Sequence, residues 1–243
     1  MKELRITIRS RFAALTFLAI GSAAAAGDTV LTGTVVDDAE KPVAGVEIGD
    51  NWQLGLETKA FSGVKTAADG TFTLTLRYFR PPIALLAMDE KRERGAAVVL
   101  SEEDAKSAVS LKLAPVAIVR GEFFCADKDV SPAGSSVQWQ FGKARIGNLH
   151  AVDPKWEVKL PPGPWGFWTY HQDTAPFTRN FDVPSDGKEI DLGRLEVAPN
   201  TLATLRGKPF PDWKVSDARG VEKTVQPSDY KGKWLLVEFW GFW

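Results

Sequence analysis

The chain has 243 residues, room for one or two domains. Thirty Lys and Arg against 31 Asp and Glu leave a net charge of −1, without the concentrated basic patch of a nucleic-acid binder. Two His and one Cys argue against a His/Cys metal cluster, and they exclude an intramolecular disulfide and a complete Cys-x-x-Cys centre within these residues.

Residues 1–26 read as a cleaved secretory signal. Lys2, Arg5, Arg9 and Arg11 form a positive n-region. Phe12 to Ile20 and the alanines beyond form an apolar h-region, and Ala24-Ala25-Ala26 fits a small-residue cleavage site before Gly27. Phe12 to Ala26 is 15 residues, short of the roughly 20 that cross a bilayer as a helix. The alternative is an uncleaved anchor. No Cys follows for lipid attachment, and Arg9 and Arg11 are not adjacent, as the twin-arginine route requires. Cleavage leaves 26 basic and 30 acidic residues, a net charge of −4. No later segment reads as a membrane span, so the expectation is export to the periplasm or the cell exterior.

The body repeats itself. Leu31-Thr32-Gly33-Thr34-Val35-Val36 is similar to Ile118-Val119-Arg120-Gly121-Glu122-Phe123-Phe124, with the glycines 88 apart. Asp69-Gly70-Thr71-Phe72-Thr73-Leu74-Thr75-Leu76 is similar to Asp153-Pro154-Lys155-Trp156-Glu157-Val158-Lys159-Leu160, 84 further on. Leu111-Lys112-Leu113-Ala114-Pro115 returns as Leu195-Glu196-Val197-Ala198-Pro199, again 84 apart. Three islands in one order at nearly one spacing imply two copies of a module of about 85 residues.

Each copy reads as all-β. Phe72, Leu74 and Leu76 alternate with threonines, and Trp156, Val158 and Leu160 with charged residues, the period of a half-buried strand. Asp69-Gly70 is a hairpin turn signal. Lys41-Pro42-Val43-Ala44-Gly45 is a second turn, and Pro161-Pro162-Gly163 closes the Trp156 strand. Short strands with turns every 8–12 residues predict a sandwich. A helix is expected only near Ser101 to Ser107, where Ser101 offers a cap.

Leu-Thr-Gly-Thr-Val-Val-Asp-Asp at 31–38, Lys-Pro-Val-Ala-Gly-Val at 41–46 and Ala-Asp-Gly-Thr-Phe at 68–72 together resemble the carboxypeptidase regulatory-like domain. The resemblance implies a transthyretin-like Greek-key sandwich, an accessory or spacer unit that does not hydrolyse peptides. The first copy, 27–113, matches the pattern. The second, 114–199, departs from it: Asp153-Pro154 replaces the Asp-Gly turn, and Ser131-Pro132-Ala133-Gly134 replaces the early Lys-Pro-x-x-Gly.

Residues 200–243 change register. Gly207-Lys208-Pro209-Phe210-Pro211-Asp212-Trp213 opens a new unit, and Val215 to Val225 is expected to form a β-hairpin around Ala218-Arg219-Gly220. Ser228-Asp229-Tyr230-Lys231-Gly232-Lys233 is a polar turn, and Trp234 to Trp240 is a near-continuous apolar run that suits a strand covered on both faces. This succession, ending in Phe239-Trp240-Gly241-Phe242-Trp243, resembles the start of a thioredoxin-like domain of the TlpA/ResA and redoxin type, with Pro227 where an apolar Leu is usual. The whole chain would then be mainly β: two tandem Greek-key transthyretin-like sandwiches plus an incomplete N-terminal piece of an α/β thioredoxin fold.

In that family the next residue is the first Cys of Cys-x-x-Cys, whose thiolate a helix N-terminus stabilises for attack on a disulfide. The resemblance implies supporting roles for two residues. Glu238 matches a buried carboxylate that exchanges a proton with the second Cys, its pKa raised by burial. Trp243 would shield the reactive sulfur. The sequence leaves three explanations for ending at Trp243: a fragment, a frameshift or nonsense change, or a UGA codon read as selenocysteine.

Cys125, in a strand after Phe123-Phe124, reads as a small buried hydrophobe. His150 and His171 are 21 apart and read as surface or capping residues. In Trp165-Gly166-Phe167-Trp168-Thr169-Tyr170, alternation puts Trp165 and Phe167 on one face and Trp168 and Tyr170 on the other. One pair is expected in the core and the other at a binding surface or under a neighbouring module. No metal site and no cofactor are expected.

Two functions follow. One is the N-terminal part of an exported thiol–disulfide oxidoreductase, its sandwiches acting as spacers or presenting thiol or disulfide client proteins, and the chain as given lacking redox activity. The other is a non-enzymatic extracytoplasmic module that binds a glycan or a protein through exposed aromatics.

Overall fold

The computed structural model describes residues 28–50, 56, 63–77, 80–151 and 153–236. The export signal, Glu238 and Trp243 lie outside the described residues. The chain divides into two compact units, one formed by Ala23–Thr204 and the other carrying Leu205–Trp243.

The first unit is mainly β. Its N-terminal half holds β1 (Thr29–Val36), β2 (Glu47–Gly49), β3 (Val64–Lys65), β4 (Thr71–Leu76), β5 (Ile83–Met88), β6 (Arg94–Leu100), β7 (Val109–Lys112) and β8 (Ala114–Pro115). These form a three-stranded sheet in the order β4-β1-β7 and a five-stranded sheet in the order β3-β2-β5-β6-β8. The two sheets close on one core, in which Leu31, Val35, Phe72, Leu74 and Leu76 of the first meet Ile48, Leu85, Ala87 and Leu100 of the second. The alternation in β4 explains its placement: Phe72, Leu74 and Leu76 are buried and the threonines between them exposed.

The C-terminal half holds β9 (Ala117–Phe124), β10 (Ser135–Phe141), β11 (Ala144–Ala151), β12 (Lys155–Leu160), β13 (Gly163–Tyr170), β14 (Thr178–Val183) and β15 (Ile190–Glu196). It repeats the design with a three-stranded sheet, β12-β9-β15, facing a four-stranded one, β11-β10-β13-β14. The repeated islands of sequence become equivalent strands. β4 pairs antiparallel with β1 and β7 runs parallel to it; β12 and β15 flank β9 in the same two senses. Gly33 lies opposite Phe72 and Gly121 opposite Trp156. In both places the aromatic ring covers the glycine so closely that a Cβ would collide with it.

The second core is aromatic. Trp139 meets Trp156 at 5.6 Å and Phe167 at 5.1 Å between ring centroids, both edge-to-face, the arrangement ring quadrupoles favour. Trp165 donates its indole N–H to the Pro161 carbonyl at 2.7 Å, so the Pro161-Pro162-Gly163 turn anchors the ring it introduces.

β5 belongs to both cores. Leu85 and Ala87 face the first, while Ala84, Leu86 and Met88 pack into the second. The two sandwiches therefore share a strand instead of hanging on a linker.

Ser101 to Ser107 forms only a 3-10 turn, Asp104–Lys106. The Ser101 hydroxyl donates to the Asp104 carboxylate at 2.6 Å and accepts the Asp104 N–H at 3.2 Å.

The hairpin expected over Val215 to Val225 does not form: among the described residues of the second unit there is no strand. Side chains take the backbone groups a ladder would use. The Trp213 indole donates to the Val225 carbonyl at 2.6 Å, the Gln226 side-chain oxygen accepts the Trp213 N–H at 3.1 Å, and Lys223 donates to the Ser216 carbonyl at 2.9 Å. The expected polar turn is present as a 3-10 segment, Pro227–Tyr230, where the Asp229 carboxylate accepts the Gln226 N–H at 2.8 Å. Trp234 to Leu236, the described start of the expected apolar strand, is unpaired, with Trp234 and Leu236 fully exposed.

Candidate functional site

β13 is the strand around which the site is built. It is flanked by β10 and β14, and the register carries its alternation into them. Trp165, Phe167 and Thr169 point inward and are buried. Trp168 and Tyr170 point outward, 37% and 62% exposed. Of the four aromatics singled out in the sequence, Trp165 and Phe167 thus fill the core, and Trp168 and Tyr170 form a surface pair. Being two residues apart on one strand, their Cα atoms lie about 7 Å apart.

The cross-strand neighbours of this pair are polar, and two amides lie one step further along, opposite Gly166. Ser136 lies opposite Tyr170, Gln138 opposite Trp168 and Gln140 opposite Gly166 on β10. On the other side Thr178 lies opposite Trp168, Asn180 opposite Gly166 and Asp182 opposite Pro164. Gln138 is buried; its amide donates to the Gly147 carbonyl at 2.9 Å, and its oxygen accepts from the Arg145 guanidinium. Gln140 donates to the Asn180 side-chain oxygen at 3.2 Å across Gly166. A Cβ on Gly166 would collide with both groups, so only glycine permits this bridge. Beyond it the face dips into an open hollow of about 290 Å³ lined by Gln140, Pro164, Asn180 and Asp182 among others.

The arrangement offers two ring surfaces at one end of β13, an amide bridge in the middle and a carboxylate-edged hollow at the other end. An amide both donates and accepts, so this face can meet hydroxyl or amide groups beside the Asp182 carboxylate. It carries no nucleophile beside a base. The carboxylates that hydrogen bonding holds below their usual pKa, Asp69, Asp104 and Asp186, sit in turns elsewhere. Gln138, Gln140 and Asn180 were not singled out in the sequence. The alternation in Gln138-Trp139-Gln140 carried a signal for the first two; Asn180 becomes a neighbour only through register.

A larger hollow, about 500 Å³, lies on the β12-β9-β15 sheet. Around it Arg120 pairs with Glu189 at 2.9 Å and with Asp191 at 3.6 Å, and Arg194 lies 4.0 Å from the Glu122 carboxylate and 4.1 Å from the centre of the Phe124 ring. His171 accepts the Asp173 N–H through Nδ1 at 3.2 Å, a turn-closing role. Cys125 is half-buried against the second core. Among the described residues no helix is long and apolar enough to cross a membrane.

No protein-family model matches the chain, and no curated protein matches it. Some solved structures are similar. The Streptococcal ancillary pilin is 10% identical, over 72% of this chain and 63% of that one, with a TM-score of 0.33. The minor pilin GBS52 of Streptococcus agalactiae is 9% identical over 78% of this chain and 100% of its own, with a TM-score of 0.31. The Bacillus anthracis TIE protein is 12% identical over 71% of this chain, with a TM-score of 0.30, and this chain spans 34% of its length. At these TM-scores none of the three carries an argument about what this chain does.

Proposed function

We propose that the β unit is an extracytoplasmic binding module whose contact surface is the outer face of β10, β13 and β14. The observation that carries this reading is the pairing of exposed Trp168 and Tyr170 with the Gln140–Asn180 amide bridge on one face. Export rests on the signal pattern of residues 1–26. Large aromatics left in water beside satisfied amides are a common composition of contact surfaces, since each ring offers apolar area at low entropic cost. The test is ligand capture by the full chain before and after Trp168→Ala. Capture that is lost in the variant supports the reading; capture that is unchanged rejects it.

A second reading rests on sequence alone. Residues 207–243 resemble the start of a TlpA/ResA-type thioredoxin domain, a resemblance that assigns supporting roles to Glu238 and Trp243. On that reading the β unit presents thiol or disulfide clients to a redox centre, and the contact face is where a client sits. Reading the coding sequence past codon 243 tests it. A Cys or selenocysteine codon followed in frame by a thioredoxin pattern supports it, and the encoded protein should then reduce insulin disulfides. A frame with no such pattern leaves the binding reading alone.

A further inference from the structure

We infer that the chain forms a twofold dimer in which β14 pairs antiparallel with β14 of a second copy, Asn180 facing Asn180 across the axis. The inference does not depend on what the β13 face binds.

β14 ends its sheet: β13 lies on one side of it, and among the described residues no strand lies on the other. The ladder decides which backbone groups are left over. The Thr169 N–H bonds to the Phe177 carbonyl at 2.8 Å, and on the far side of β13 the Gly142 N–H bonds to the Pro164 carbonyl at 2.8 Å. Odd-numbered residues of β13 therefore bond toward β14, and even-numbered ones toward β10. Phe167 stands opposite Arg179 and Trp165 opposite Phe181, so Arg179 and Phe181 spend their backbone groups on β13. Thr178, Asn180 and Asp182 turn theirs to the open side, and all three are exposed. The next outward positions on either side are Pro176 and Pro184, which have no N–H to give. Asn180 directs its side-chain oxygen to Gln140, across Gly166 and away from the edge.

A second copy fits this edge because the edge is complementary to itself. With the axis at Asn180, Thr178 of one copy lies opposite Asp182 of the other, and every facing pair of outward residues exchanges two main-chain bonds. On the outer face the Thr178 hydroxyl meets the Asp182 carboxylate. On the core side Arg179 lies opposite Phe181, whose half-buried ring offers a cation–π partner. The adjacent registers are worse. One sets Arg179 against Arg179; the other sets Thr178 against Pro184. Pairing about a twofold axis also uses both β14 edges at once and leaves neither open. Two four-stranded sheets thereby become one of eight strands, outer faces on the same side. Trp168 of one copy then shares a row, through Thr178 and Asp182, with Pro164 of the other.

The edge is six residues long, a small contact, so the dimer should be weak and reversible. Sedimentation of the full chain from about 10 µM to about 1 mM, the range of weak affinities, should show monomer passing into dimer. Asn180→Pro removes the central N–H on the open side, where a monomer tolerates proline, and should leave a monomer at every concentration; thermal unfolding checks that it is folded. Cross-linking tests the register without that variant. In a Cys125→Ser background under mild oxidation, Asn180→Cys should link to itself, since facing Cα atoms in such a pair lie about 5.5 Å apart, within reach of a disulfide. Asp182→Cys alone should not link, but mixed with Thr178→Cys it should. A chain that stays monomeric throughout overturns the inference, as does a dimer that survives Asn180→Pro. Equal linking of the Asn180→Cys and Asp182→Cys proteins, each on its own, overturns the register.

Discussion

Gly33 and Gly121 make the same close approach in different company. A methyl group at Gly33 would collide with the Val109 carbonyl oxygen on β7 as well as with the Phe72 ring. At Gly121 the nearest atoms all belong to the Trp156 ring, the first at 2.7 Å. A ring can tilt, whereas a paired backbone oxygen cannot without breaking its ladder. Gly33→Ala is therefore expected to cost about 2–3 kcal/mol and Gly121→Ala about 1–2 kcal/mol, within the range of core overpacking. Urea unfolding of the two variants measures the difference, and equal losses would mean that β7 yields as readily as an indole.

Two further residues hold turns. Buried Thr66 donates its hydroxyl to the Val43 carbonyl at 2.7 Å and accepts the Val46 N–H at 2.9 Å. Thr66→Val keeps the shape and strands both groups, so about 1–3 kcal/mol should be lost; Thr66→Ser, which keeps the hydroxyl, should lose less. Asp69 accepts the hydroxyl of Thr71 at 2.7 Å and its N–H at 3.1 Å. The hydroxyl bond first, and the backbone bond second, hold its carboxyl below the usual 3.8. A depressed folded value means a contribution fully present above the unfolded value and lost as pH falls through the folded one. The melting temperature should therefore drop as acid passes below 3.8, and Asp69→Asn should flatten part of that drop. Parallel curves for the two proteins would assign the acid sensitivity elsewhere.

At the scale of elements, β5 is the informative strand. Its sequence, Ile83-Ala84-Leu85-Leu86-Ala87-Met88, has no alternation, and both faces are covered. Leu85→Ala opens a cavity in the first core and Leu86→Ala one in the second; each is expected to cost about 2–5 kcal/mol. A markedly smaller cost at Leu86 in denaturant unfolding would mean that the second sandwich lies loosely on this strand. Where one face is wet, the pattern was legible from sequence: β4, β12 and β13 alternate, and their buried residues follow the alternation. The repeat was legible too, because a glycine must sit opposite each large ring. The Val215 to Val225 hairpin was not, although Ala218-Arg219-Gly220 is a fair turn. Strands need a partner with free backbone groups, and here the Trp213, Gln226 and Lys223 side chains occupy them. The site was half legible. Period two separated Trp168 and Tyr170 from Trp165 and Phe167. The Gln140–Asn180 bridge joins residues 40 apart, and only cross-strand register brings them together.

At the scale of the whole molecule, a shared strand makes a prediction that two linked beads would not. The large buried indoles Trp139, Trp156 and Trp165 all lie in the second sandwich. Their blue-shifted emission therefore reports that sandwich, while far-ultraviolet circular dichroism reports strands in both. If β5 couples the two cores, Leu85→Ala, a change confined to the first core, should lower the midpoint seen by buried-Trp emission as much as the midpoint seen by dichroism. Coincident transitions by the two probes are the signature of one cooperative body. Independent sandwiches would respond otherwise: the emission midpoint would stay at the wild-type value, and the dichroism curve would broaden into two steps. A coupled pair would also hold the Trp168 face at a fixed angle to the first sandwich. Ligand binding at that face should then raise the single midpoint for both probes together, by the amount that mass action sets for a ligand that binds only the folded state.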